Sequence, residues 1–342
     1  MPATEILQQA DRLVALIPEW DALALRDPGT SPYDSGTLML GLGDLTPCPG
    51  TPYVVTARET DGRLVGVLPL RRSPASGRLG GSRLTGYTTW HTSYFDAALD
   101  PAAPGAGRAL LECVQQRRDW DRCDFSFLRA DGNLLPLCRG VGTGYSSTIG
   151  SSRRVLPGAA TSSEADRPVM LRGTARRLKK LGPVQFYPAV PESELKATLR
   201  RFEALHTARW RSFGEAAEFA APDNFRRLED AVLATARTGW ARVGTLALAD
   251  EVIAVHIAFR WRNTQYSWRM AHDARWQAQS PGRLLLSLMI EDAFASGCTQ
   301  YDLGRGDEQY KELWSSEPHP LTRFSFHGKT WRGRLARLRT TG

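Results

Sequence analysis

A chain of 342 residues is longer than one hydrophobic core usually serves, so its length predicts two domains of roughly 150–180 residues each. Its 44 Lys and Arg against 36 Asp and Glu leave a formal charge of +8, which suits a phosphate-bearing ligand or a polyanionic partner. The apolar and charged shares are those of a globular protein, and the longest nearly apolar run, 284–290, falls far short of the ~20 residues that cross a bilayer, which excludes a membrane-spanning helix.

The opening residues MPATEILQQADRLVALIPEW carry Glu5 and Asp11 and lack a basic segment followed by an apolar block, so they read as a helix of the mature protein, not as a signal peptide. Residues 53–57 and 64–70 flank an Asp61-Gly62 turn, a strong hairpin signal. A strand-like stretch at 94–99, a break at PAAPGAG, a helix over 108–117 and a strand at 124–128 complete the first half. His91, beside Trp90 and Tyr94, either packs or lines a cleft. Residues 146–168 are rich in Ser, Gly, Ala and Pro and read as a connecting segment, which divides the chain into 1–160 and 161–342.

The second half opens on a basic segment at 171–181 and a strand at 184–187. Leu195, Leu199, Phe202 and Leu205 form one stripe of a helix over 192–212, and Phe225, Leu228 and Val232 one stripe of a helix from Asp223 to Gly239. Three strands follow at 241–248, 252–261 and 264–270, with turns at Ala249-Asp250 and Arg262-Asn263. A loop ending Ser280-Pro281-Gly282, a helix over 283–296, a strand at 300–303 and a short opening stretch complete it. The class is α/β (α+β): two similar units, each a mixed, mainly antiparallel sheet with flanking helices, the second the more complete. Two basic clusters stand out, Arg172, Arg176, Arg177, Lys179 and Lys180, and then Lys329, Arg332, Arg334, Arg337 and Arg339, with no acidic residue after Glu317. They are either solvated helix faces or tracks for a polyanion. The five cysteines, Cys48, Cys113, Cys123, Cys138 and Cys298, are scattered without a CxxC pair, which speaks against a disulfide framework or zinc site and for a reducing, cytoplasmic setting.

The loop at 277–297 carries the sharpest chemistry. A helix start offers free N–H groups and partial positive charge to an anion. Gly282 allows close backbone approach and Arg283 adds charge, so Gln279, Ser280, Gly282, Arg283 and Leu284 form a candidate pyrophosphate cradle. The order meander, Gln279-x-x-Gly282 loop, helix, strand resembles the GCN5-related N-acetyltransferase (GNAT) superfamily, in which a Q/R-x-x-G-x-G/A loop binds the pyrophosphate of acyl-CoA. Leu284 departs from that pattern by replacing a small residue. The stretch 246–314, with its SPG loop, its Tyr301-Asp302 strand end and its Tyr310-Lys311 pair, resembles more narrowly an acetyltransferase-like group associated with cellulose biosynthesis. The two-unit architecture is similar to that of Fem-type transferases, which move amino acids from aminoacyl-tRNA onto peptidoglycan precursors.

The resemblance implies an N-acyltransferase that takes acetyl-CoA or another acyl-CoA as donor, needs no metal, and acylates an amine of a small molecule, sugar or peptide. Pantetheine would run along the strand at 252–259. The alternatives are a Fem-type enzyme with tRNA as partner and a non-catalytic scaffold. Acyl transfer needs a base for the amine, a donor for the carbonyl oxygen and an acid for the leaving group. Alternation places His256 on one face with Ala254 and Ala258, making it a candidate base. Asp273 and Asp302, at strand ends, could bind an amine or act as bases. Tyr310 could protonate the leaving group and Lys311 could polarise a carbonyl or hold an anion. No GxSxG elbow, Walker loop, HExxH or dinucleotide GxGxxG occurs, and the Arg305-Gly306-Asp307 tripeptide reads as a turn.

Overall fold

A two-residue period in apolar side chains builds a strand that is buried on one side, and a helix must then cover that side. Both devices occur twice in this chain, in a computed structural model that describes residues 1–43, 50–74, 81–88, 91–140, 144–157, 169–315 and 317–340. Cys48, Trp90 and the part of the expected connecting segment from 158 on lie outside the described residues. The chain forms two compact units, Met1–Ser151 with His319–Gly342, and Ser152–Pro318.

The first unit runs β1 (Ala3–Leu7), α1 (Ala10–Arg26), α2 (Gly36–Gly43), β2 (Thr51–Arg58), β3 (Leu64–Pro74), β4 (Ser82–Gly86), β5 (Ala98–Leu99), α3 (Ala106–Gln116), β6 (Arg122–Leu128) and α4 (Leu134–Gly140). The expected N-terminal helix is real only from Ala10, because residues 3–7 pair with β2 as a strand. The expected strand at 94–99 shrinks to Ala98–Leu99 against β3, and β4, α2 and α4 carry no signal that the sequence reading used. Strand order is β1-β2-β3-β4-β6-β13, with β13 (Pro318–His327) arriving from the far end of the chain. All these pairs are antiparallel except β4 with β6, which α3 connects in parallel. After β13 comes α9 (Trp331–Thr340).

Strand β7 (Gly144–Val155) begins in the first unit and ends in the second, so residues 146–155 of the Ser-rich stretch expected as a connector are strand. The second unit continues through α5 (Val169–Lys179), β8 (Val184–Tyr187), α6 (Glu192–Ser212), α7 (Pro222–Arg237), β9 (Ala241–Leu248), β10 (Glu251–Trp261), β11 (Thr264–His272), α8 (Pro281–Ala295) and β12 (Gln300–Arg305). Its order is β8-β9-β10-β11-β12-β7, antiparallel except β11 with β12, which α8 connects in parallel. The pattern of the first unit is thus repeated, and in each unit the last position is filled by a strand from the other half of the sequence. That exchange is why the compact units divide after Ser151 and take the tail from His319 into the first unit, where the sequence suggested a cut at 160 and a tail in the second.

The core under α8 joins Leu284, Leu285, Leu286, Met289 and Ile290 to Leu246, Ile253, Ala254 and Ala258 of β9 and β10. Each buried leucine contributes about 2 kcal/mol by removal from water. Gly244 makes room for this helix, since a Cβ there would lie 2.2 Å from the Met289 sulfur. Tight hairpins link the meander, with Ala249 and Arg262 held at φ 51° and 54° by the twist of the flanking strands. No helix among the described residues is long and apolar enough to cross a membrane.

Candidate functional site in the second unit

Strand β11 is paired with β10 along nearly its whole length, from Thr264 against Trp261 to His272 against Ala254. Its other edge is different. There β12 pairs with it only at Thr264, Gln265 and Tyr266, and β12 then parts from it toward β7. A bulge at Trp268, opposite the Ile257/Ala258 step, adds twist where the two strands separate. From residue 267 to 272, β11 therefore offers an unpaired edge among the described residues.

A cleft of about 570 Å³ opens along this edge. Trp268, Arg269, Met270 and His272 form one wall, and Ser280, Gly282 and Arg283 at the start of α8 form the floor. His206, Arg209 and Trp210, from the last turns of α6, close it with Glu308 and Tyr310. Three arginines against one glutamate make the cleft a cationic environment. Arg209 forms no ion pair with the described residues, while the Trp210 indole N–H donates to His206 Nε2 at 2.9 Å and so fixes the aromatic lip.

The start of α8 is built for close approach. Ser280 sits at φ 47°, ψ 52°, a left-handed turn that reverses the chain into the helix. The N–H groups of Arg283 and Leu284 bond to the Ser280 carbonyl at 3.1 and 3.3 Å, Pro281 has none, and the Gly282 N–H finds no backbone acceptor among the described residues. A Cβ on Gly282 would stand 3.1 Å from His272 Nδ1 and 3.3 Å from the Met270 sulfur, so the glycine lets the helix start lie against β11. Of the expected cradle, Ser280, Gly282 and Arg283 line the cleft. The Leu284 side chain is buried in the core beneath the helix and does not line the cleft. Gln279 does not line the cleft either, and its Oε1 is buried without a hydrogen-bond partner.

The catalytic candidates separate sharply. His256 is fully buried and does not line the cleft. Its Nε2 lies 2.9 Å from Ser267 Oγ, and burial pulls its pKa down to about 4. Asp273 caps the turn after β11, accepting from the Arg275 backbone at 2.9 Å and from its guanidinium at 2.6 Å, with Arg201 at 3.6 Å. The Arg275 bonds outweigh burial and hold its carboxyl below the usual range. Asp302 is buried, accepts the Gly304 N–H at 2.7 Å and lies 3.6 Å from Arg154. Lys311 is buried as well. Its ammonium donates to the carbonyls of Gly304, Arg305 and Gly306 at 3.3, 2.8 and 3.2 Å and meets Glu308 at 2.8 Å. None of these three residues lines the cleft.

Tyr310 does line the cleft. Burial, reinforced by the Glu308 carboxylate and opposed by Arg209, pushes its phenol up to about 12, so it remains a proton donor at neutral pH. The cleft histidine is His272, which sequence reasoning passed over although it adjoins Asp273. Burial first, then Arg209, lowers its pKa to about 4, and its Nδ1 is buried without a hydrogen-bond partner. A neutral imidazole and a protonated phenol thus share one cationic cleft beside an open strand edge. The missed α6 residues left a faint signal: His206 and Trp210 are four apart on one side of a helix otherwise read only for its leucine stripe. No cluster of His, Cys, Asp and Glu suited to a metal occurs among the described residues.

Residues 167–312 match the family described as Acetyltransferase (GNAT) domain. Comparison with curated proteins finds no match. Among solved structures, the chain is similar to the C-terminal domain (DUF2156) of a putative lysylphosphatidylglycerol synthetase from Agrobacterium fabrum, at 14% identity and TM-score 0.62, over 96% of each chain. It is similar to FemX at 11% identity and TM-score 0.62, over 98% of this chain and 99% of that one. A tandem GNAT protein from the clavulanic acid biosynthesis pathway gives 12% identity and TM-score 0.53, over 95% of this chain and 98% of that one. At these identities the likeness is one of fold, and the fold is GNAT-like.

Proposed function

We propose that the second unit transfers an acyl group from a thioester donor to an amine, with acetyl-CoA or another acyl-CoA laid along β11. The observation that carries this reading is the unpaired edge at 267–272 running into the start of α8. Pantetheine holds amide groups along an extended chain, and an open strand edge binds such a chain as it would bind a peptide strand. This moves the expected pantetheine path from 252–259, which β9 and β11 already pair on both sides. The pyrophosphate falls to the Gly282 N–H and Arg283, with Arg209 across the cleft.

Attack by the amine forms the new C–N bond and leaves the nitrogen positively charged and acidic. His272, the histidine that lines the cleft beside the strand edge, takes that proton. As the tetrahedral intermediate collapses and the C–S bond breaks, Tyr310 gives its proton to the thiolate. The match to the GNAT family over 167–312 supports the reaction class. Leu284 gives no support to a non-catalytic scaffold, since its side chain is turned away from the cleft. Kinship with the cellulose-associated group rests on sequence resemblance, whose specific motifs lie in 250–314.

Calorimetry with CoA and acetyl-CoA tests the donor site. Micromolar binding by the wild type, abolished by Gly282→Asp, is expected; absence of wild-type binding overturns the reading. A second reading, aminoacyl-tRNA as donor, is favoured by the similarity to FemX along the whole chain and by the exposed Arg176 and Arg177 of α5. Filter binding of tRNA across a salt series separates the two, because a phosphate-tracking site loses affinity steeply with salt. A flat response removes tRNA.

A further inference from the structure

The first unit carries a second cationic feature, independent of the transferase reading. A cleft of about 680 Å³ lies between the start of α9, the segment Gly81-Ser82 and the segment 118–121. Arg118, Lys329, Arg332 and Arg334 line it with Asp119 and Asp121. Both carboxylates are already engaged. Asp121 accepts the Ser82 N–H at 2.7 Å and the Thr330 hydroxyl at 2.5 Å, and Asp119 meets Arg72 at 3.2 Å, Tyr53 at 3.3 Å and Arg117 at 3.9 Å. The four lining cations have no ion-pair partner among the described residues. Arg332 stacks on Trp331 at 4.8 Å, with its Nε buried and without a hydrogen-bond partner.

Beside this cleft the helix exposes apolar side chains. Trp331 is 60% and Leu335 46% exposed, and they stand one turn apart on the same side of α9. Exposed Arg334 borders them, and no acidic residue follows Glu317. Arginines beside an exposed Trp and Leu match the boundary of an anionic bilayer, where arginines meet phosphates and Trp and Leu enter the headgroup region. A nucleic acid would be satisfied by the cations alone, and Leu335 has nothing to offer a base or a phosphate.

We propose that this face docks on an anionic lipid surface, with a lipid phosphate in the cleft of Arg118, Lys329, Arg332 and Arg334 and with Trp331 and Leu335 entering the headgroup boundary. The test is co-sedimentation of the full chain with vesicles of phosphatidylcholine alone and of equal parts phosphatidylcholine and phosphatidylglycerol. Binding to the second composition only, reversed by salt, is expected. Arg118→Ser and Arg334→Ser each lower it about five-fold, and Leu335→Ser weakens it while leaving the salt dependence intact. All three positions are exposed, so a thermal melt of each variant should match the wild type. Equal binding to both compositions, or to neither, overturns the proposal. So does tRNA or inorganic phosphate bound at this cleft by a chain that ignores the vesicles.

Discussion

Lys311 and His272 show how little a side chain's chemistry says before its surroundings are known. Lys311 carries a charge that could hold a substrate, yet its ammonium is consumed by three carbonyls and Glu308. Lys311→Met should cost on the order of 3 kcal/mol of stability by orphaning those buried groups, with KM for the donor unchanged in the folded fraction; denaturant unfolding and kinetics at matched folded concentration check it. His272→Ala should instead leave stability and donor binding nearly intact and lower kcat by about 10²–10⁴, as followed by single-turnover acyl transfer. His256 enters through pH. Its folded pKa is lowered to about 4 from an unfolded value of 6.5, so the unfolded chain binds the proton first as pH falls. Stability is full above about 6.5 and declines toward 4, by on the order of 3 kcal/mol. Urea titrations at stepped pH should show this loss, and His256→Gln, which cannot take up the proton, should reduce it, leaving the share that His272 contributes over the same window.

Among the elements, α8 joins the core and the cleft. Its leucines anchor it to the sheet, and its first turn, held close by Gly282, presents backbone to the ligand. Leu285→Ala should destabilise by about 2–5 kcal/mol through the cavity left in a fully buried layer, seen as a lower urea midpoint with unchanged slope. Gly282→Val should act differently. Pressing on His272 and Met270, it displaces the helix start and costs donor affinity more than stability. Much of this was legible: the SPG turn and apolar run marked the helix, and Gly282 and Arg283 were placed at its mouth. The fate of Leu284 and Gln279 was not, because a loop spacing says which residues are near a ligand but not which way each side chain turns. Strand β13 went unread, and its Pro318 and Pro320 dilute the strand pattern.

For the whole molecule, the decisive feature is the exchange of strands between the halves. β13 packs Phe324 and Phe326 into the first unit, Phe326 lying 5.4 Å from Phe125 and 5.6 Å from Trp120. Removing residues 319–342 should therefore destabilise the first unit, although the cut is nearest in sequence to the second; limited proteolysis should then release fragments from within residues 1–151. Local periodicity, turn residues and capping patterns determined by themselves the hairpins, the long helices, the α/β class and the repeated unit, since these depend on neighbours a few residues apart. Only the tertiary structure decided that β7 and β13 change units, that β11 keeps an open edge, and that His272 and not His256 reaches the cleft. Those outcomes depend on where strands part and what covers them, and such contacts join residues too distant in the chain for any local pattern to record.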